Sequence, residues 1–395
     1  MALLSRAAHP LHPPGGMEKA VYHLAARLQG RGVETVLVTR PATRAEPFPG
    51  DVVTIPYGGR AEGHGRILDR TLRYPRFSAR VGAAVAEMVR AGRVDLVDAQ
   101  GLCALGYGRR RQADPALRAP LVMNPQGLEE HKTTGLKRLA LFRLRALSRE
   151  AARLSDRVIA TDEATREDVP KLLGVDAARV AVIPNGIEPA EVARLTPADP
   201  EAVVHAAVPA LAGASLLLLS VGRLEGYKGF GDVLAALARL QARSALPPRW
   251  AWVVAGDGPD RRALEQRAQA ALPGRAHFLR GVESALLHAL YARADVFVHA
   301  PRYEGSSLVT LEAMAHGLPV VATRAGGIPD KVRDGETGCL VAPGDVDGLA
   351  AALADLAADS SRRQEMGRRG RERAEVDFAW ERIIERVLVL YRSLL

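Results

Sequence analysis

The chain has 395 residues, too many for one core and about right for two domains of ordinary size. With 48% hydrophobic and 25% charged residues it is a globular chain and not a disordered one. Its net charge of +9 falls wholly in the first half: residues 1–195 carry 30 Lys+Arg against 21 Asp+Glu, and residues 196–395 carry 24 of each.

That half is expected to be drawn to an anionic surface, a phospholipid or lipid-phosphate first of all, with an ordinary solvated, arginine-rich surface as the alternative. The aromatic content is 5% and no nucleic-acid motif is present, so nucleic acid is not expected as a partner. Cys103 and Cys339 stand far apart with no metal-ligand spacing and read as thiols of a reducing compartment. The N-terminus, MALLSRAAHP, meets Arg6 early and reads as no signal peptide, so a cytoplasmic location is expected, with peripheral contact on the inner face of the plasma membrane as an extension. The uncharged stretch Ala202–Gly222 is interrupted by His205, Pro209 and Gly213, and reads as a linker running into a buried strand, not as a membrane span.

In chain order, Ala2–Leu4 predicts a short strand and His9–Gly16 a Pro/Gly-rich loop. Met17–Arg31 has helical spacing, with Val21, Leu24, Ala25 and Leu28 on one face. Further strands are predicted at Glu34–Thr39, Val94–Ala99, Pro120–Asn124, Arg157–Ala160 and Val180–Ile183. Thr134–Leu154 reads as one basic helix, with Lys137, Arg145, Arg149 and Arg153 sharing a face that suits either an anionic membrane or plain solvent. The polar, proline-bearing stretch Glu188–Ala214 marks the domain boundary, giving a first domain 1–195 and a second domain 196–377. In the second half, strands are predicted at Leu216–Val221, Trp250–Ala255, Ala276–Leu279, Val296–His299, Pro319–Thr323 and Cys339–Val341. Helices are predicted at Gly231–Ala242 and Arg261–Ala271. Trp380–Leu395 reads as an amphipathic helix with a stripe of Ile383, Ile384, Val387, Leu388 and Tyr391. Alternation of this kind predicts an α/β protein of two doubly wound, Rossmann-like domains facing across a cleft, with ligands at the carboxyl ends of the strands.

The chemistry is therefore sought in loops after strands. RYEGSSLVTLEAMAHG, from Arg302 to Gly317, places Glu304 before a helix that Ser306 or Ser307 would cap and Gly317 would stop. With Ser307 as the cap, the free N–H groups belong to Leu308, Val309 and Thr310 and form an anion site. Eight residues separate Glu304 from Glu312, which argues against a two-carboxylate dyad and for a phosphate site flanked by hydroxyl-binding carboxylates. After Leu216–Val221, Gly222 lets the backbone approach a ligand, and Arg223 and Lys228 suit a diphosphate; Lys228 is one of six lysines in the chain. Gly256-Asp257-Gly258-Pro259 is a tight turn, Gly15-Gly16 opens a helix and could approach a phosphate or sugar, and Pro184-Asn185-Gly186-Ile187 is a turn after the last strand of the first half.

Taken together, PPGGMEK, PNGI, VGRLEGYKGF, GDGP, EGSSLVTLEAMAHGLPVVA and GGIPDKVRDGETGCLV resemble, in order and spacing, the retaining GT-B glycosyltransferases of family 4, from about Ser5 to about Asp347. The resemblance implies transfer of a sugar from a UDP- or GDP-sugar donor to an acceptor hydroxyl, with retention at the anomeric carbon and no protein nucleophile. It assigns Arg223 and Lys228 to the donor diphosphate, the Leu308 and Val309 backbone to its distal phosphate, Glu304 to the transferred sugar and Glu312 to the ribose. It places Gly281 and Val282 beside the base, has Gly16 close over the donor from the other domain, and has the C-terminal helix, 378–395, cross back onto the first domain. No cofactor is expected, and no metal: Asp345-Val346-Asp347 reads as a helix cap and not as a metal site. The acceptor is left open among sugars, lipid-linked sugars and small molecules.

One position departs from the family. Many members carry a histidine where NPQGLEEH has Gln126, which can hydrogen-bond a sugar hydroxyl but cannot exchange protons. Either the role is positional, or His131 substitutes, or the activity is altered. The alternatives to transfer are a non-catalytic nucleotide-sugar binder, a nucleotide-sugar epimerase, or a sugar phosphorylase carrying pyridoxal phosphate.

Overall fold

The structure, a computed structural model, describes residues 1–13, 15–58, 69–132 and 135–395, and for residues 70, 129 and 136–138 the backbone alone. Pro14 of the Pro/Gly turn, Thr134 at the start of the basic segment and the side chain of Lys137 lie outside the described residues.

The chain divides into two units, Met1–Asn185 with Trp380–Leu395, and Gly186–Ala379. The first holds a seven-stranded parallel sheet of β1 (Ala2–Leu4), β2 (Val36–Thr39), β3 (Asp51–Thr54), β4 (Val97–Gln100), β5 (Leu121–Asn124), β6 (Arg157–Ala160) and β7 (Val180–Val182), in the order β3-β2-β1-β4-β5-β6-β7. Alternate residues of each strand face opposite layers. Leu3, Leu37, Val122 and Ile159 point to one side, where the helices Gly16–Gly30 and Trp380–Arg392 cover them. Leu4, Val38, Val97, Met123 and Val158 point to the other, under the helices Tyr74–Arg90, Ala104–Ala113 and Phe142–Leu154. From the C-terminal helix Trp380, Ile383, Ile384, Val387, Leu388 and Tyr391 are buried. Each large apolar side chain so buried contributes about 1.5–3 kcal/mol, which is why this segment belongs to the first unit.

The second unit holds β8 (Leu216–Val221), β9 (Trp250–Ala255), β10 (Ala276–Leu279), β11 (Val296–His299), β12 (Val320–Thr323) and β13 (Gly338–Val341), all parallel, in the order β10-β9-β8-β11-β12-β13. β8 and β9 are buried at every residue, as near-continuous apolar runs covered on both faces should be.

Three readings of the sequence are corrected. The division falls after Asn185 and not after residue 195. Glu188–Ala214 is not an irregular linker but carries the helices Pro189–Leu195 and Pro200–Ala207, whose Val192 and Val204 join the second core. The basic segment is two helices, Gly135–Ala140 and Phe142–Leu154, with Leu141 buried at the break. Its arginines do not form one solvent face: Arg149 donates to the carbonyl of Leu172 at 2.8 Å, and Arg145 is half-buried, its Nε without a partner among the described residues. Strand β3 was missed because it is largely exposed and has no buried apolar run to announce it.

Candidate active site

In a doubly wound sheet the loops on either side of the reversal of strand order diverge and leave room for a ligand. In the second unit that reversal lies between β8 and β11, and the residues singled out from the sequence follow these strands and their neighbours. Gly222 follows β8, Gly256 follows β9, Gly281 follows β10 and Glu304 follows β11.

The Lys228 Nζ lies 2.9 Å from both carboxylate oxygens of Glu304. His299, the last residue of β11, lies with Nε2 2.6 Å from Glu304 Oε2, and the Gly305 N–H donates to Oε1 at 3.1 Å. Glu304 is 8% exposed. Burial alone would raise its pKa, but the Lys228 ammonium and the His299 ring outweigh burial and hold the carboxyl well below the usual range. An ionised carboxylate only accepts, so His299 must carry its proton on Nε2. The chain makes this pair possible at Gly229. Its φ is +74°, and a Cβ there would stand 1.7 Å from the carbonyl oxygen of Ala300, so only glycine lets the β8 loop lie this close to the β11 loop. Gly256 serves a similar approach, since its Cβ would stand 1.9 Å from the Gly222 carbonyl oxygen.

Ser307 stands at the cap position of the Leu308–Ala315 helix but does not cap it with its side chain. Its φ is +43°, and its hydroxyl pairs with the Thr310 hydroxyl at 2.7 Å. The first-turn N–H groups therefore receive no side-chain acceptor, while Leu308, Val309 and Val282 pack their side chains against the core. Glu312 accepts from the Tyr291 hydroxyl at 3.1 Å. Arg223 lies 3.3 Å from Glu225 and donates to the Tyr227 hydroxyl at 3.4 Å. Asp345 accepts from the Gly348 N–H at 2.8 Å, which is the helix cap read from the sequence.

In the first unit the reversal lies between β1 and β4. Gly16 is the first residue of its helix, and Gly15 before it is extended. Gln126, just beyond β5, has φ +63°, a strained value for a residue with a side chain. Its N–H donates to the side chain of Asn124 at 2.9 Å, its amide donates to Gln100 Oε1 at 2.7 Å, and its own oxygen accepts from Asn185 at 3.4 Å. His131 is buried; burial, with Arg145 and Arg149 nearby, pushes its pKa down to about 4. Among the described residues neither ring nitrogen has a hydrogen-bond partner, and the ring is enclosed.

Sequence comparison decides the family. Glycosyl transferases group 1 matches residues 206–373, and Glycosyltransferase Family 4 matches residues 14–191. The chain is 30% identical over 409 residues to the glycogen synthase of Mycobacterium tuberculosis, covering 96% of this chain and 92% of that one. The chain belongs to glycosyltransferase family 4.

This glycosyltransferase has the GT-B fold. It superposes on sucrose-phosphate synthase from Thermosynechococcus elongatus with a TM-score of 0.77 at 24% identity, covering 100% of this chain and 98% of that one. It superposes on Anabaena HepE, crystallised in complex with UDP-glucose, with a TM-score of 0.75 at 21% identity, covering 99% of each chain. Sequence reasoning missed His299 as a partner of Glu304 in the candidate site. A histidine closing a strand five residues before Glu304 is a usable signal in the sequence. Asp98 was missed as well: it is a lone carboxylate inside the buried strand β4.

Proposed function

We propose that this glycosyltransferase moves a hexose from a nucleoside-diphosphate sugar, with a uridine or guanosine base, to an acceptor hydroxyl with retention of configuration and without a metal. The observation that carries this reading is the Lys228–Glu304 pair at the strand-order reversal, beside the helix start at Leu308. An ammonium has three N–H donors. Two face Glu304, and the third is available to a phosphate oxygen. Departure of the diphosphate builds negative charge, and Lys228, Arg223 and the N–H groups of Leu308 and Val309 are the groups that would stabilise it, each fixed donor being worth about 3 kcal/mol. Glu304 is a poor base and a poor nucleophile here, because both of its oxygens already accept hydrogen bonds. Its work is to orient Lys228, since the Lys228, His299 and Gly305 donors already occupy both of its oxygens.

Calorimetric titration with UDP, GDP, ADP and dTDP in EDTA, on the native chain and on Lys228→Ala, tests the donor site. Tight binding of one nucleotide that is lost in the variant supports the reading and fixes the base. Binding of none of them overturns it. Donor binding with no turnover over a panel of acceptors would make the chain a nucleotide-sugar binder. The anomeric configuration of the product, read by NMR, tests retention, and an undiminished rate in EDTA tests independence of metal.

The first unit is the membrane-facing part of this reading. Leu139 and Phe142 are 76% and 66% exposed beside the exposed Arg143, a pairing of apolar and cationic groups suited to an anionic lipid surface. Among the described residues no helix is long and apolar enough to cross a membrane.

A further inference from the structure

Asp98 lies in the middle of the sheet face that the helices Gly16–Gly30 and Trp380–Arg392 cover, and it is 1% exposed. Its neighbours across the sheet are Leu3 of β1 and Val122 of β5. No cation pairs with it among the described residues. Instead Gln100 donates to Oδ1 at 2.8 Å and the Tyr391 hydroxyl to Oδ2 at 2.7 Å. Gln100 in turn accepts from Gln126 at 2.7 Å, and a cavity of about 30 Å³, roughly the room of one water, lies among these groups.

The direction of this chain follows from its buried end. An ionised carboxylate can only accept. Gln100 must then turn its NH2 group to Asp98, which leaves its oxygen toward Gln126. Gln126 must turn its NH2 group to Gln100, which leaves its own oxygen outward beyond β5. If Asp98 takes up a proton it can donate to the Gln100 oxygen, both amides can reverse together with that of Asn185, which now donates to the Gln126 oxygen, and Gln126 then presents N–H outward.

We propose that Asp98 is a positioning residue that sets, through Gln100, which end of the Gln126 amide is presented beyond β5, so that the ionised form offers a sugar hydroxyl an acceptor oxygen. The proposal rests on the reading of Gln126 as a sugar contact. It specifies that reading: Gln126 receives a hydrogen bond from the substrate. Burial raises the Asp98 pKa to about 6, against the two donors that lower it, so the reversal falls within an accessible pH range. Tyr391 is the titratable group that faces Asp98 from the C-terminal helix. The residues of the Gly16–Gly30 helix that line the cavity, Ala20, Val21 and Leu24, are apolar.

The test is NMR on the full chain labelled with [15N]glutamine, with the Gln126 side-chain amide assigned from Gln126→Ala. The Gln100 and Gln126 amides are expected to shift together with one midpoint near pH 6, and Asp98→Asn is expected to abolish that titration. Tyr391→Phe removes a donor to the charged form and is expected to move the midpoint upward, so it serves if Asp98→Asn fails to fold. A Gln126 amide that is indifferent to pH from 4.5 to 8, or a midpoint unmoved by Tyr391→Phe, overturns the proposal. None of these readouts needs a donor or acceptor, so failure of the nucleotide titrations would fall on the proposed function and not on this relay.

Discussion

Lys228 and Glu304 are 76 residues apart in sequence and form a two-point ion pair of 2.9 Å at the place where the strand order of the second unit reverses. Both are largely buried, with side-chain exposures of 17% and 9%. Removing one partner leaves a buried charge without compensation, at a cost of about 3–5 kcal/mol. Lys228→Ala is therefore expected to lose that much stability in urea unfolding. Lys228→Ala with Glu304→Gln should recover a large part of it, because the orphaned charge is gone. Additive losses would mean that the pair is not coupled.

The same carboxyl predicts an acid limb of stability. The folded-state pKa of Glu304 is depressed from a usual value of 4.5, so its contribution is complete above that value and is lost as the pH falls toward the folded value. Stability measured by urea unfolding should be flat with respect to this group above about pH 5 and fall below it. In Glu304→Gln that part of the slope should vanish, and an unchanged slope would show that Glu304 is not held ionised.

Gly229→Ala is a test of the approach that brings the two loops together. Alanine is strained at φ +74°, and its Cβ would meet the Ala300 carbonyl oxygen at 1.7 Å. A loss of about 1–3 kcal/mol is expected from overpacking. Because the loops must part, nucleotide affinity should fall by about tenfold or more, the equivalent of roughly 1.4 kcal/mol. A variant with weakened stability but native affinity would separate the glycine from the site.

For the surface of the first unit, Leu139→Asp with Phe142→Asp is expected to reduce sedimentation with vesicles containing phosphatidylglycerol. It should leave nucleotide titration unchanged, since both side chains are exposed. Equal sedimentation of variant and native chain would leave this face to solvent.

Much of the second unit was legible, for a physical reason. Fully buried parallel strands are near-continuous apolar runs, so Leu216–Val221 and Trp250–Ala255 have the boundaries read from the sequence, as do the partly buried Ala276–Leu279 and the buried Val296–His299. Glycines and cations just beyond such runs then mark the loops that face a ligand. What was not legible depends on contacts distant in sequence. Nothing local says that Lys228 meets Glu304 or that Arg149 turns to Leu172. Asp98 shows the limit most plainly. A carboxylate within VDAQ is a polar fault in a strand until Tyr391, 293 residues later, supplies the donor that makes it tolerable.

The C-terminal helix also imposes an order on biosynthesis. Leu3, Val21, Leu24, Leu37 and Val122 are made before any of the second unit, yet the side chains that finish covering them, Trp380 through Tyr391, are made after all of it. Until then the nascent first unit carries an open apolar strip and a carboxylate lacking one of its two donors, while the whole of Gly186–Ala379 is translated and free to fold. The first unit begins synthesis earliest and is completed latest. A ribosome that stops short of Trp380 would release a finished second unit joined to an unfinished first one, exposed to aggregation and to proteolysis.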